Sequence, residues 1–87
     1  MVRATMMTTD QISGLVEIAR RDERLWTDLK DRELNQFNQD GSAKLPSLAM
    51  LVEEFANQQL GSDHAFDTGS LIIRLRFRTR QELGLPV

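Results

Sequence analysis

Residues 48 to 60 carry the pattern that most constrains the fold. Their apolar side chains recur at the spacing of one helical stripe: Leu48, Leu51, Val52, Phe55, Ala56 and Leu60. Pro46 and Ser47 precede the stripe and Gly61 follows it, which predicts a helix over residues 46–60. An apolar stripe is stable only when another element covers it, so the rest of the chain must supply packing partners.

A second helical pattern lies upstream. Thr8 and Gln11 have the spacing of a capping box, in which each side chain accepts a hydrogen bond from the other residue's backbone. Apolar residues of a single phase follow: Ile12, Leu15, Ala19, Trp26, Leu29 and Phe37. This phase predicts one long helix over residues 8–38. The alternative is a break near Asp22, with Asp22 capping a second helix.

The two helices differ in length, which raises a packing problem. A helix over residues 8–38 would be roughly 45 Å long, while the second would reach roughly 21 Å. Either the first helix folds back at Asp22, or its uncovered apolar turns pack on another molecule. The chain has 87 residues and no cysteine, so no disulfide stabilises it. We therefore expect a homodimer or another protein partner, with three apolar residues at the interface: Trp26, Leu29 and Phe37. For Trp26 the alternative is an anchor in the chain's own core.

The segment LIIRLRFRTR, residues 71–80, alternates apolar and basic side chains. Its period of two predicts a half-buried β-strand, with four arginines on the outer side: Arg74, Arg76, Arg78 and Arg80. The expected fold is therefore mostly α, a helical hairpin with a short C-terminal β-strand in a small α+β domain. The alternative is an all-α fold with a third C-terminal helix. The strand would pair either with Val2–Met7 or with its twin in a dimer.

The remaining segments complete a single domain. Residues 61–70 are predicted to form a loop, and residues 81–87 a tail. Thr79 and Glu82 mark the limits of a further capping-box pattern, which would open one helical turn after the strand.

The arginines suggest binding rather than catalysis. On a strand they would form a line of roughly 20 Å, which suits a row of carboxylates or phosphates. They could also be an ordinary solvated face that protects a sheet edge from aggregation. Acids of the first helical region could also pair with them within the chain: Glu17, Asp28, Asp31 or Glu33. The formal net charge of −2 disfavours nucleic acid. We therefore expect a non-enzymatic protein–protein interaction module, an adaptor, docking domain or small regulator, that contacts an acidic partner. A nucleic-acid-binding module is the alternative.

Little in the sequence indicates catalysis. His64 is the only histidine, and it lies beside Asp63 in a segment typical of a solvated loop. We expect no catalytic residue, no metal and no cofactor. No apolar run approaches the ~20 residues that span a bilayer, and nothing resembles a signal peptide, so a cytoplasmic protein without a membrane partner is expected.

The C-terminal segment GSLIIRLRFRTRQELGLPV, residues 69–87, resembles the second helix of acyl and peptidyl carrier domains. In that family a serine that bears phosphopantetheine precedes a helix rich in arginine and leucine and ending in ELG. Aligning the arginine–leucine pair and the ELG segment puts Gly69 at the serine position, one residue before Ser70. The family's Gly-Asp pair before the serine is absent. The resemblance implies a helical C-terminus and, as a second alternative, a carrier-like or docking domain of a biosynthetic assembly line.

Overall fold

The computed structural model describes residues 5–61 and 66–87. The described residues form four helices: α1 (Thr9–Arg21), α2 (Glu23–Leu34), α3 (Leu48–Leu60) and α4 (Gly69–Glu82). The described residues also form two strands of two residues each, β1 (Thr5–Met6) and β2 (Phe66–Asp67), which pair with each other. The all-α alternative is therefore correct.

The capping box predicted at the start of α1 is present. The Gln11 backbone N–H donates to Thr8 Oγ1 at 3.1 Å, and the Thr8 backbone N–H donates to Gln11 Oε1 at 2.9 Å. These two bonds satisfy amides that the first helical turn leaves without partners. From this start, α1 buries one stripe of side chains: Ile12, Leu15, Val16 and Ala19.

The first helical region breaks at Asp22 and does not continue to residue 38. Asp22 has an extended backbone, with φ −83° and ψ 96°, and its Oδ1 accepts a hydrogen bond from the Leu25 N–H at 3.1 Å. Asp22 therefore ends α1 and caps α2. The break resolves the length problem, because the region forms two shorter helices that both contribute buried side chains to one core.

The predicted C-terminal β-strand is wrong, because residues 71–80 lie inside helix α4. Leu71, Leu75 and Thr79 recur every four residues and form its buried row. The Thr79 hydroxyl donates to the Leu75 carbonyl at 2.9 Å, so its polar group is satisfied inside the helix. Because Thr79 lies inside α4, the capping-box pattern from Thr79 to Glu82 does not open a new helical turn.

The β1–β2 pairing places the residues before α1 beside the residues before α4. The strands are parallel, with Thr5 opposite Phe66 and Met6 opposite Asp67. Thr5 and Met6 belong to the segment that was expected to pair with residues 71–80, but they pair with Phe66 and Asp67 instead. Since α1 follows β1 and α4 follows β2, the two helices start at the same end of the molecule.

The core is built from all four helices. Helix α4 packs against each of the other three. Trp26 and Leu29 of α2 join the buried side chains of the other helices in one cluster. Helix α3 begins after Ser47, whose Oγ accepts from the Met50 N–H at 3.2 Å, and ends at Gly61, whose φ is 94°. Among the described helices, none has the length and apolar character to cross a membrane.

Candidate functional site

Helix α4 turns two of its four arginines toward one carboxylate of α2. Arg76 Nε donates to Glu33 Oε1 at 2.7 Å, and Arg80 Nη1 donates to Glu33 Oε2 at 3.1 Å. The Glu33 side chain is only 5% exposed. Charge-assisted bonds of this kind are among the stronger polar contacts in proteins, so this cluster joins α2 to α4.

The protonation of Glu33 follows from this arrangement. Burial alone would raise the pKa of the carboxyl, but the hydrogen bonds and positive charges of Arg76 and Arg80 outweigh it. The net effect is a lowered pKa for Glu33, while its carboxylate raises the pKa of Arg76. Glu33 is therefore ionised, and the two guanidiniums are partly neutralised by the chain itself.

The other two arginines are less constrained. Arg78 Nη2 lies 3.8 Å from Glu17 Oε1, a loose and largely exposed pair between α1 and α4. Arg74 is exposed and forms no ion pair or side-chain hydrogen bond with any residue that the structure describes. The row of four outward arginines expected for a strand is thus distributed around a helix.

The apolar residues predicted to contact a partner do not share one surface. Trp26 and Leu29 lie in the core, at 6% and 3% exposure. A side chain buried in its own core has little surface to offer a partner, which argues against Trp26 and Leu29 as contact residues. Phe37 is exposed in the loop after α2 and lines a shallow cavity of about 260 Å³.

Two apolar residues of the segment predicted to be a strand, which would have faced the core on that strand, lie on the surface of the helix. Ile73 is 69% exposed and Phe77 is 48% exposed, one helical turn apart and opposite the buried row of α4. Phe77 borders two shallow cavities, one of about 180 Å³ toward α1 and one of about 300 Å³ shared with Ile73 and Val87. We call Ile73, Arg74 and Phe77 the α4 outer face. The sequence could have indicated this surface, because residues 69–82, if helical, contain more apolar side chains than one buried face can hold.

A second surface with both apolar and charged groups lies on α3. Met50 is exposed one turn before Glu53 and Glu54, and with Pro46 and Asn57 these residues line an open cavity of about 480 Å³. Neither carboxylate forms an ion pair within residues 5–61 and 66–87. We call Met50, Glu53, Glu54 and Asn57 the α3 outer face.

The described residues offer no cluster of three or more metal-ligating side chains. His64 and Asp63 lie outside the described residues. Ser70, the neighbour of the position that bears phosphopantetheine in the carrier resemblance, is exposed in the first turn of α4.

No protein-family model matches the sequence, and no curated protein or solved structure is significantly similar to the chain.

Proposed function

We propose that this chain is a non-enzymatic protein-interaction module, of the adaptor, docking or small-regulator kind, whose contact surface is the α4 outer face. The partner is an acidic amphipathic helix. One observation carries the proposal: Ile73 and Phe77 are exposed one turn apart, beside an arginine with no ion pair among the described residues.

The energetics support an interface of modest affinity. Burying one large apolar side chain contributes about 1.5–3 kcal/mol, and Ile73 and Phe77 together can supply the centre of a small contact. Arg74 contributes specificity, because a guanidinium at the rim of the contact favours a partner carboxylate and disfavours a basic partner. An amphipathic helix presents apolar side chains at the matching spacing of one turn.

Phosphate binding has weaker support. Arg76 and Arg80 share the Glu33 carboxylate, which lowers the positive potential that a nucleic acid would meet. The chain as a whole has a formal net charge of −2. A protein partner therefore fits the described surface better than a nucleic acid does.

The test uses a synthetic helical peptide with leucines on one face and glutamates beside them, titrated against the protein by fluorescence anisotropy. We expect Phe77→Ala to weaken binding at least about tenfold, since losing about 1.4 kcal/mol corresponds to that factor. Arg74→Glu should also weaken it. Arg24→Glu is the matched control, because Arg24 is an exposed arginine on α2 with no ion pair to a described residue and the charge change is identical.

Two results would contradict the proposal. Equal binding by the wild type and Phe77→Ala would exclude the α4 outer face, and a larger loss for Phe37→Ala would move the site to the loop after α2. Duplex DNA that binds more tightly than the peptide, and weakens steeply with salt, would favour the nucleic-acid alternative. Circular dichroism of each variant checks that the helices are intact.

A further inference from the structure

We infer that the partner of the α4 outer face is the α3 outer face of a second copy of this chain. This inference rests on the proposed function and names its partner. It starts from the observation that the chain displays two exposed surfaces of opposite charge, each with at least one exposed apolar side chain.

The two surfaces are complementary in chemistry. On α4, Ile73 and Phe77 project beside a positive charge at Arg74. On α3, the exposed Met50 provides an apolar contact, and Glu53 and Glu54 follow it by one turn. An aromatic ring that enters the α3 cavity would contact the Met50 side chain, and a flanking guanidinium would be within reach of a carboxylate.

The open cavity on α3 has room for an aromatic side chain and is partly apolar. Its volume of about 480 Å³ exceeds what one phenylalanine fills, and Pro46 and Met50 form its apolar part. In the described part of the chain, no basic group neutralises Glu53 or Glu54. These acids therefore remain available to a positive charge from outside.

Charge also determines which surfaces pair. Two α4 outer faces in contact would bring arginines together, and two α3 outer faces would bring glutamates together, so either symmetric pairing is repulsive. Contact between α4 of one copy and α3 of another joins opposite charges instead. The contact forms between copies because each face points away from the core of its own chain.

The experiment mixes two variants that each lack one surface. The α4 variant is Arg74→Glu with Phe77→Ala, and the α3 variant is Glu53→Lys with Glu54→Lys. The wild type should show a mass that rises with concentration above 10.0 kDa in light scattering after size exclusion. Each variant alone should remain a monomer at the same concentrations.

Mixing the variants should restore association. The α3 variant keeps an intact α4 outer face, and the α4 variant keeps an intact α3 outer face, so one productive contact remains and a one-to-one complex is expected. Arg24→Glu should self-associate like the wild type. Circular dichroism and Trp26 fluorescence establish that both variants are folded.

Other outcomes overturn the inference in distinguishable ways. If the α3 variant alone still self-associates, the contact does not use the α3 outer face. If the wild type is a monomer at every concentration and still binds the acidic peptide through Phe77, the partner is a different protein and the proposed function stands. If the wild type neither self-associates nor binds the peptide, both the inference and the proposed function are wrong.

Discussion

Glu33 lies where the last turns of α2 approach the second half of α4, and two guanidiniums share its carboxylate. The three charges are arranged so that one acid holds two basic residues one helical turn apart. Because Glu33 is nearly buried, removing its charge leaves Arg76 and Arg80 facing each other without a counter-ion. This single residue should therefore contribute more to stability than the exposed pairs do.

Glu33→Gln should lower the free energy of unfolding by about 1–2 kcal/mol, because a neutral amide cannot replace two charge-assisted bonds. The measurement is urea unfolding followed by circular dichroism at neutral pH. Since the pKa of Glu33 is lowered in the folded state, its contribution is fully present above the ordinary value of 4.5 and is lost as the pH falls through the folded-state pKa. The difference between wild type and variant should therefore close below pH 4.5.

Glu17→Gln is the control for this prediction. Glu17 is 3.8 Å from Arg78 in an exposed pair, so its removal should cost less than about 0.5 kcal/mol. A loss for Glu33→Gln no larger than that for Glu17→Gln, or a gap that persists unchanged in acid, would contradict the assigned role of Glu33.

At the scale of elements, a helix and a strand over residues 71–80 would bury different side chains. A strand would bury Ile73 and Leu75 on one side, whereas the helix buries Leu75 and exposes Ile73. The two residues are similar in size and lie only two positions apart. Their responses to substitution therefore report the conformation of this segment.

Leu75→Ala should destabilise the protein by about 2–5 kcal/mol, because it leaves a cavity in the core. Ile73→Ala should change stability by less than about 0.5 kcal/mol, because Ile73 is on the surface. Both values come from denaturant unfolding of the isolated chain at a concentration low enough to keep it monomeric. Comparable losses at the two positions would be inconsistent with helix α4.

The contrast between α3 and α4 explains how much of the fold was predictable from the sequence. In α3 the apolar residues follow a single period between the cap Ser47 and Gly61, so the helix was predicted nearly to its ends. In α4 two periods fit, because Ile73 and Phe77 extend the apolar row of a strand while Thr79 completes the buried row of a helix. Which period applies depends on tertiary burial, a property that no local pattern contains.

The candidate site was predictable only in part for a similar reason. The arginines are conspicuous in the sequence, but the acid that holds two of them is 43 positions from Arg76. Glu33 was one of four acids that the sequence offered as internal partners, and which of the four pairs with the arginines depends on how the helices pack on α4. Phe77 is exposed because the segment is a helix. The alternating pattern favoured a strand, on which Phe77 would face the core.

At the scale of the whole molecule, the core is one cluster to which all four helices contribute. Trp26 is the only tryptophan and lies inside that cluster. Its fluorescence therefore reports on the packing of the core, while circular dichroism reports on the helices. In a single cooperative domain the two signals change together.

We expect urea unfolding curves from Trp26 fluorescence and from circular dichroism to share one midpoint, with emission moving to longer wavelength as the indole meets water. The glutamine variant of Glu33 should shift both curves by the same amount. If the fluorescence change preceded the loss of helix, α4 or α2 would be opening separately from the rest, and the single cooperative core would be excluded.

The parallel pairing of β1 with β2 has a consequence for synthesis on the ribosome. The segment before α1 emerges from the ribosome before all four helices, but its partner and the helix on which the other three pack emerge after α3. A nascent chain that ends before α4 lacks the element common to these packing contacts, so its apolar stripes stay exposed to chaperones until α4 has been synthesised. Folding is therefore expected to follow release of the C-terminal helix from the exit tunnel.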